Sequence, residues 1–245
     1  MKINEVCCIF CGSKGPSSAI SHIVPESLGG PHSPIATQGI TCNKCNQYFG
    51  QKVEQPALRS FPYSAYRLFS SVPSKKGRPF EMPVWQGTVQ GTGMPGQFFI
   101  RPATDAIRET LQKNKTGQLR ILAEVSEPLA VCRMLIKIGL EQIASNAYEM
   151  AVSDRLHAAR EFCRRPKHGD RWWFLLFADP IIMQSRLSKP EEDFCQIEVT
   201  EQQGQLCAIL RLAGILTIVP LESNLLPPSD LGEKLPKCRA IWAAS

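Results

Sequence analysis

Beyond Glu127 the apolar residues fall into a helical rhythm. Val131, Met134, Leu135, Ile138 and Ile143 recur at three- and four-residue steps, which predicts an amphipathic helix from Leu129 to about Ala147. A second helix is predicted from Ser153 to Phe162, with Ser153 placed to cap it. The period then shortens. The segments 172–177, 194–200, 206–212 and 215–219 read as strands, and Glu201-Gln202-Gln203-Gly204 reads as a hairpin turn between two of them. The pattern predicts an α+β domain with two helices and an antiparallel strand meander. Trp172-Trp173 heads an apolar strand and reads as core.

Upstream the pattern is weaker. From Phe61 to Pro102, prolines and glycines interrupt it, most clearly between Ser70 and Pro79, and the stretch reads as a connection with short strands at 84–89 and 97–100. The spacing Gly91-x-Gly93-x-x-Gly96 is a chance match to a dinucleotide fingerprint, since Pro95 lies inside it and no helix pattern follows. In the first sixty residues, 20–25 reads as a short strand stopped by Pro25, Gly29-Gly30 as a turn, and Asn43 to about Glu54 as a helix. Three parts result: 1–60, a connection at 61–102, and a domain at 103–245 whose role the sequence does not give.

Composition adds a class and a partner. With 43% hydrophobic and 20% charged residues, the chain is an ordered globular one. Its net charge of +6 is concentrated between residues 61 and 170, where 16 basic residues face 10 acidic ones. That suits a polyanion held through phosphate contacts. No signal peptide and no bilayer-spanning run is readable, so a cytoplasmic protein without a membrane partner is expected, its ten cysteines reduced or metal-bound. Cys132, Cys163, Cys195, Cys207 and Cys238 lack ligand spacing and read as buried small hydrophobes.

The chemistry sits near the start of the chain. Cys8-x2-Cys11 and Cys42-x2-Cys45 each offer two thiolates from one tight turn, the need of a tetrahedral zinc; reduced pairs or a redox site are the alternatives. Cys7 is a weaker substitute for Cys8, because it breaks the symmetry of the two pairs. The thirty residues between the pairs hold Ser21-His22-Ile23-Val24-Pro25 and Gly29-Gly30, and Cys45 is followed by Asn46 and then Phe49-Gly50. Strand, loop, strand and helix, with a histidine on the first strand and an amide on the helix, make a zinc-stapled ββα-metal unit. Lys44, Lys52, Lys75, Lys76 and Arg78 are the phosphate-contact candidates. Arg164 to His168 read as a solvated helix end, and His32, His157 and His168 as surface residues.

Residues 5–58 resemble the zinc-knuckle branch of the HNH endonuclease family, whose pattern runs Cys-x2-Cys, acidic-His-Ile-x-Pro, Gly-Gly, Cys-x2-Cys-Asn-x-x-Phe-Gly. The resemblance implies a nuclease that hydrolyses phosphodiester bonds of nucleic acid, DNA before RNA. It implies that His22 is the general base, that Asn46 is a helix ligand for a divalent ion (Mg²⁺ or Mn²⁺), and that Cys8, Cys11, Cys42 and Cys45 hold structural zinc. The family's acidic ligand falls on Ser21, whose neutral hydroxyl is a poor partner for Mg²⁺. Glu26 is a possible substitute; Glu54, on the order of 12 Å along the helix from Asn46, is too distant. Two rival expectations are a degenerate HNH fold that binds nucleic acid without cutting it, and a zinc-stapled protein-interaction domain. Oligomeric state is not readable.

Overall fold

The computed structural model describes residues 6–30, 33–72, 77–113, 124–187, 195–202, 204–222, 226–228 and 237–245. His32, Lys75, Lys76, Gln203 and the start of the strand expected at Phe194 lie outside the described residues. The architecture is α+β, with antiparallel sheets of three and five strands.

The helix predicted from the apolar rhythm is the centre of the molecule. It is α6 in a series that begins with α1 (Glu26–Gly29), α2 (Asn43–Phe49), α3 (Gln55–Arg59), α4 (Tyr63–Ser70) and α5 (Asp105–Lys113). α6 spans Pro128–Asn146, and Pro128 stands in its first turn, where a missing N–H costs nothing. The sequence predicts one wet face, but Arg133, Lys137 and Glu141, spaced four apart, are buried along with the apolar stripe. The polar face is covered by the N-terminal unit. Arg133 Nη2 donates to Tyr48 Oη at 2.7 Å, and its Nε to the Cys163 carbonyl at 2.9 Å.

The opposite side of α6 lies on the larger sheet. β4 (Arg171–Ala178), β5 (Cys195–Gln202), β6 (Gln205–Leu212), β7 (Ile215–Pro220) and β8 (Cys238–Ala244) run in the order β5-β6-β7-β4-β8, every pairing antiparallel. The β5–β6–β7 meander is as predicted; the edge strand β8 was not legible. Close approach of helix and sheet depends on Gly139, where an added Cβ would stand 2.6 Å from Ala208 Cβ. Trp172 and Trp173 are buried as expected, with Trp172 Nε1 donating to the Pro220 carbonyl.

The second predicted helix starts differently. A 3-10 turn at Asp154–Leu156 precedes α8 (His157–Arg164), and α7 (Tyr148–Val152) precedes both. Ser153 occupies the cap position, but its hydroxyl donates back to the Met150 carbonyl at 2.7 Å. His157 and His168 are exposed.

The smaller sheet is β1 (Glu81–Val84), β2 (Gly87–Gly91) and β3 (Phe98–Pro102). The strand expected at 84–89 is instead the reversal between β1 and β2. Gly87 has φ of +141°, and a Cβ there would meet the Arg101 carbonyl at 2.1 Å, so the chain turns where only glycine fits. α5 and α9 (Pro180–Leu187) are further elements that the sequence did not reveal. One apolar core runs from the N-terminal unit (Phe10, Val24, Phe49, Val53) through α6 to the larger sheet.

Gly139→Ala gains helix propensity of about 1 kcal/mol but drives a methyl into the sheet. A net loss of about 1–3 kcal/mol in urea unfolding is expected. Ala208→Gly in the same chain should recover part of it, and an unchanged midpoint for Gly139→Ala would show that α6 does not lie so close.

Candidate active site

The two cysteine turns come together. The sulfurs of Cys8, Cys11, Cys42 and Cys45 all lie within 4.8 Å of one another. The first turn is closed by Cys8 N–H to Ser13 O and Gly12 N–H to Cys8 O, with Gly12 at φ +69°. The second forms as Cys42 caps α2 and its carbonyl accepts from Asn46 N–H at 2.9 Å. Cys7 is outside the cluster, its backbone N–H and C=O both meeting Tyr148 Oη, which resolves the choice between Cys7 and Cys8. Arg164 is not the solvated helix end that its sequence suggests. Its guanidinium stacks 3.8 Å from the Tyr48 ring centroid, on α2 beside the second cysteine turn.

Between the knuckles, the expected pair of strands is reduced to one antiparallel bridge, His22 to Ile35, flanked by Ile23 N–H to Pro34 O and Ala36 N–H to Ser21 O. Extended backbone alternates its side chains, so neighbours at 21 and 22 face opposite ways. His22 lines a cleft of about 790 Å³ that Asn46 and Glu26 also line. Ser21 was expected to stand beside Asn46, and it turns inward instead. It is buried and donates to Glu141 Oε1 at 3.3 Å.

His22 Nε2 is 3.9 Å from Glu26 Oε2, and its Nδ1 is buried without a protein partner. Asn46 spends its Nδ2 on the Ile20 carbonyl at 3.2 Å, which leaves the amide oxygen as its ligand atom. Below the site is a buried ionic knot. Lys137 Nζ lies 2.8 Å from Glu141 Oε2 and 3.0 Å from Glu54 Oε1, and donates to the His22 carbonyl at 2.9 Å. Thr41 Oγ1 donates to the same Glu141 at 2.7 Å. Burial opposes the Lys137 charge, but the Glu141 and Glu54 carboxylates outweigh it and hold its pKa above the ordinary lysine value. Glu141 is pushed up by burial, which Lys137 and Thr41 offset only in part. Such a knot fixes positions more than it adds net stability.

The helix predicted for 43–54 is not uniform. α2 passes at Gly50 into a π-helix, Gly50–Glu54, before α3. Glu54 thereby reaches the cleft wall while one oxygen is held by Lys137. Lys44 and Lys52 are exposed and do not line the cleft; nor does Arg78. The basic residues that do are Arg59 and Arg67, which carry no motif and were missed in the sequence.

Residues 8–62 match a family model described as HNH endonuclease. Neither a curated protein nor a solved structure matches the chain. The matched segment is similar to an HNH-type, nuclease-like unit, and it ends where α4 is about to start. No helix among the described residues is long and apolar enough to cross a membrane.

Lys137→Met strips the buried carboxylate of Glu141 of its cation and should cost about 3–5 kcal/mol in urea unfolding, while adding Glu141→Leu should return much of that loss. The sign with pH follows from the raised lysine. Its contribution is complete below the ordinary value of about 10.4 and lost as pH rises through the higher folded value. Wild type should therefore weaken at strongly alkaline pH by a component that Lys137→Met lacks. Equal stability of the two proteins would remove the knot from any structural role.

Proposed function

We propose that this protein is an HNH-type endonuclease that hydrolyses phosphodiester bonds of nucleic acid, with DNA as the first substrate to test. The observation that carries the proposal is the convergence of His22, Asn46 and Glu26 on one cleft beside the four-cysteine cluster. Four crowded thiols suit tetrahedral zinc, which would staple the 8–13 turn to the start of α2. The cleft itself offers hard oxygen donors, Asn46 Oδ1 and the Glu26 carboxylate, which fit a Mg²⁺ or Mn²⁺ that completes its shell with water and phosphate. When bound, such an ion supplies charge stabilisation at the phosphate and the leaving oxygen.

The chain's own part is proton handling and placement. His22 stands on the cleft wall with Nε2 beside the Glu26 carboxylate, so its imidazole is placed as a proton acceptor. There it takes the proton of an attacking water, a task suited to an imidazole because its pKa lies near neutrality. Lys137 fixes the His22 carbonyl and so the bridge that carries the imidazole. α6 is therefore the pedestal of the site, and the 103–245 domain a structural partner of the 1–60 unit.

A non-cutting binder is favoured by one specific observation, the inward turn of Ser21 where the family has an acid. Plasmid nicking separates the two. Wild type should nick in Mg²⁺ or Mn²⁺ and not in EDTA. His22→Ala should lower the rate by about 10²–10⁴, and Glu26→Gln should raise the metal concentration required. Binding without nicking in either metal would sink the nuclease reading and leave the binder.

Metal analysis should give about one zinc per chain. Cys42→Ala should lose it together with the fold of the N-terminal unit. A zinc-free protein with that unit intact would overturn the staple.

A further inference from the structure

His22, Ser27 and Arg67 line the cleft, and each carries a buried side-chain atom without a protein partner: His22 Nδ1, Ser27 Oγ and Arg67 Nε. The first belongs to the proton acceptor already described. The other two belong to residues that line the same cleft. Tyr66 Oη donates to the Leu28 carbonyl at 3.1 Å, which ties α4 to α1, and Arg67 and Ser27 are the chain neighbours of those two residues. Arg67 is held from behind, its Nη1 donating to the Leu58 carbonyl at 3.2 Å and its guanidinium stacked 4.1 Å from the Phe80 ring centroid. Arg59, at the end of α3, lines the same wall, and neither arginine has a salt bridge to a described carboxylate. Of the acids in the cleft, Glu54 is bound by Lys137, Glu26 lies by His22, and Glu81 stands at the start of β1. Burial, and then the charge of Arg59, lower the Arg67 pKa to about 10. Two arginines on one cleft wall, neither paired with a described carboxylate, form a site short of one anion.

We propose that Arg59, Arg67 and Ser27 bind a backbone phosphate of the nucleic-acid strand, next along the cleft from the phosphate that is cut. The proposal rests on the nuclease reading for its ligand, but the anion site itself does not. A guanidinium already fixed on Phe80 loses little freedom on binding, and a phosphate oxygen is an acceptor that Arg67 and the Ser27 hydroxyl can share. Such a contact holds the strand in register and carries no base preference.

Binding is measured without added Mg²⁺ or Mn²⁺ and without chelator, so that there is no turnover and the zinc is kept, by anisotropy of a labelled oligonucleotide across a salt series. Arg59→Ala and Arg67→Gln should each weaken binding about tenfold and reduce the salt slope by about 1. Lys113→Ala, on exposed α5, should do neither. Inorganic phosphate is the second probe, and it should raise the Tm of wild type more than that of either arginine variant. Wild-type affinity and slope in Arg59→Ala would overturn the subsite and leave the nuclease reading standing. Protection by phosphate that needs both arginines, with no oligonucleotide binding at low salt, would keep the anion site and end the nucleic-acid reading. Absence of both effects ends both. Arg59 is exposed, so its variant decides the matter if Arg67→Gln fails to fold.

Discussion

One ammonium group joins the parts of this protein. Lys137 is wholly buried at the middle of α6, where it meets Glu141 one turn along the same helix and two groups from distant segments, the carbonyl of His22 and the carboxylate of Glu54. Glu141 in turn collects the hydroxyls of Ser21 and Thr41. A buried charge of this kind is costly unless every hydrogen is placed, so each segment must be in position for any of them to be. The position of the candidate base is thus set by a helix more than a hundred residues away.

The consequence for the zinc unit is that it does not stand alone. The four thiols close a short loop, but Tyr148 grips Cys7, Arg164 lies over Tyr48, and Phe49 and Val53 enter the same core as Leu135 and Ile138. A small metal-stapled segment usually lacks enough apolar surface to fix its side chains. Here the larger sheet and α6 supply that surface, and α4 and β1 supply the outer wall of the cleft. Ser21 shows the cost of that arrangement. An acid at this position would face the buried Glu141 carboxylate, and like charges in such surroundings cannot both ionise.

Much of this was legible in the chain. The meeting of Cys8, Cys11, Cys42 and Cys45 was readable because metal-ligand chemistry demands fixed residue types at fixed spacing, and the three meander strands because alternation survives in a half-buried sheet. What stayed hidden has a common cause. Arg133, Lys137 and Glu141 look like a solvated face, since periodicity reports which residues share a side of a helix and not what covers that side. Arg59 and Arg67 belong to no motif, and their partnership exists only once α3 and α4 fold back on the cleft. The strand expected at 84–89 failed for a backbone reason, the positive φ of Gly87. α5 has no buried residue and so no pattern to read.

The π-helix at Gly50–Glu54 carries a further meaning. Such a segment holds one residue more than an α-helix of the same turns, and it is found where function rewards the misfit. Each α-helical residue turns the chain by about 100°. A chain one residue shorter here would run as plain α-helix and would swing everything after it out of phase with everything before. Asn46 precedes the misfit and Arg59 follows it. The phase between the Asn46 amide and the basic wall is therefore written as a single inserted residue, and the cleft's two ends are tuned to each other by count and not by contact.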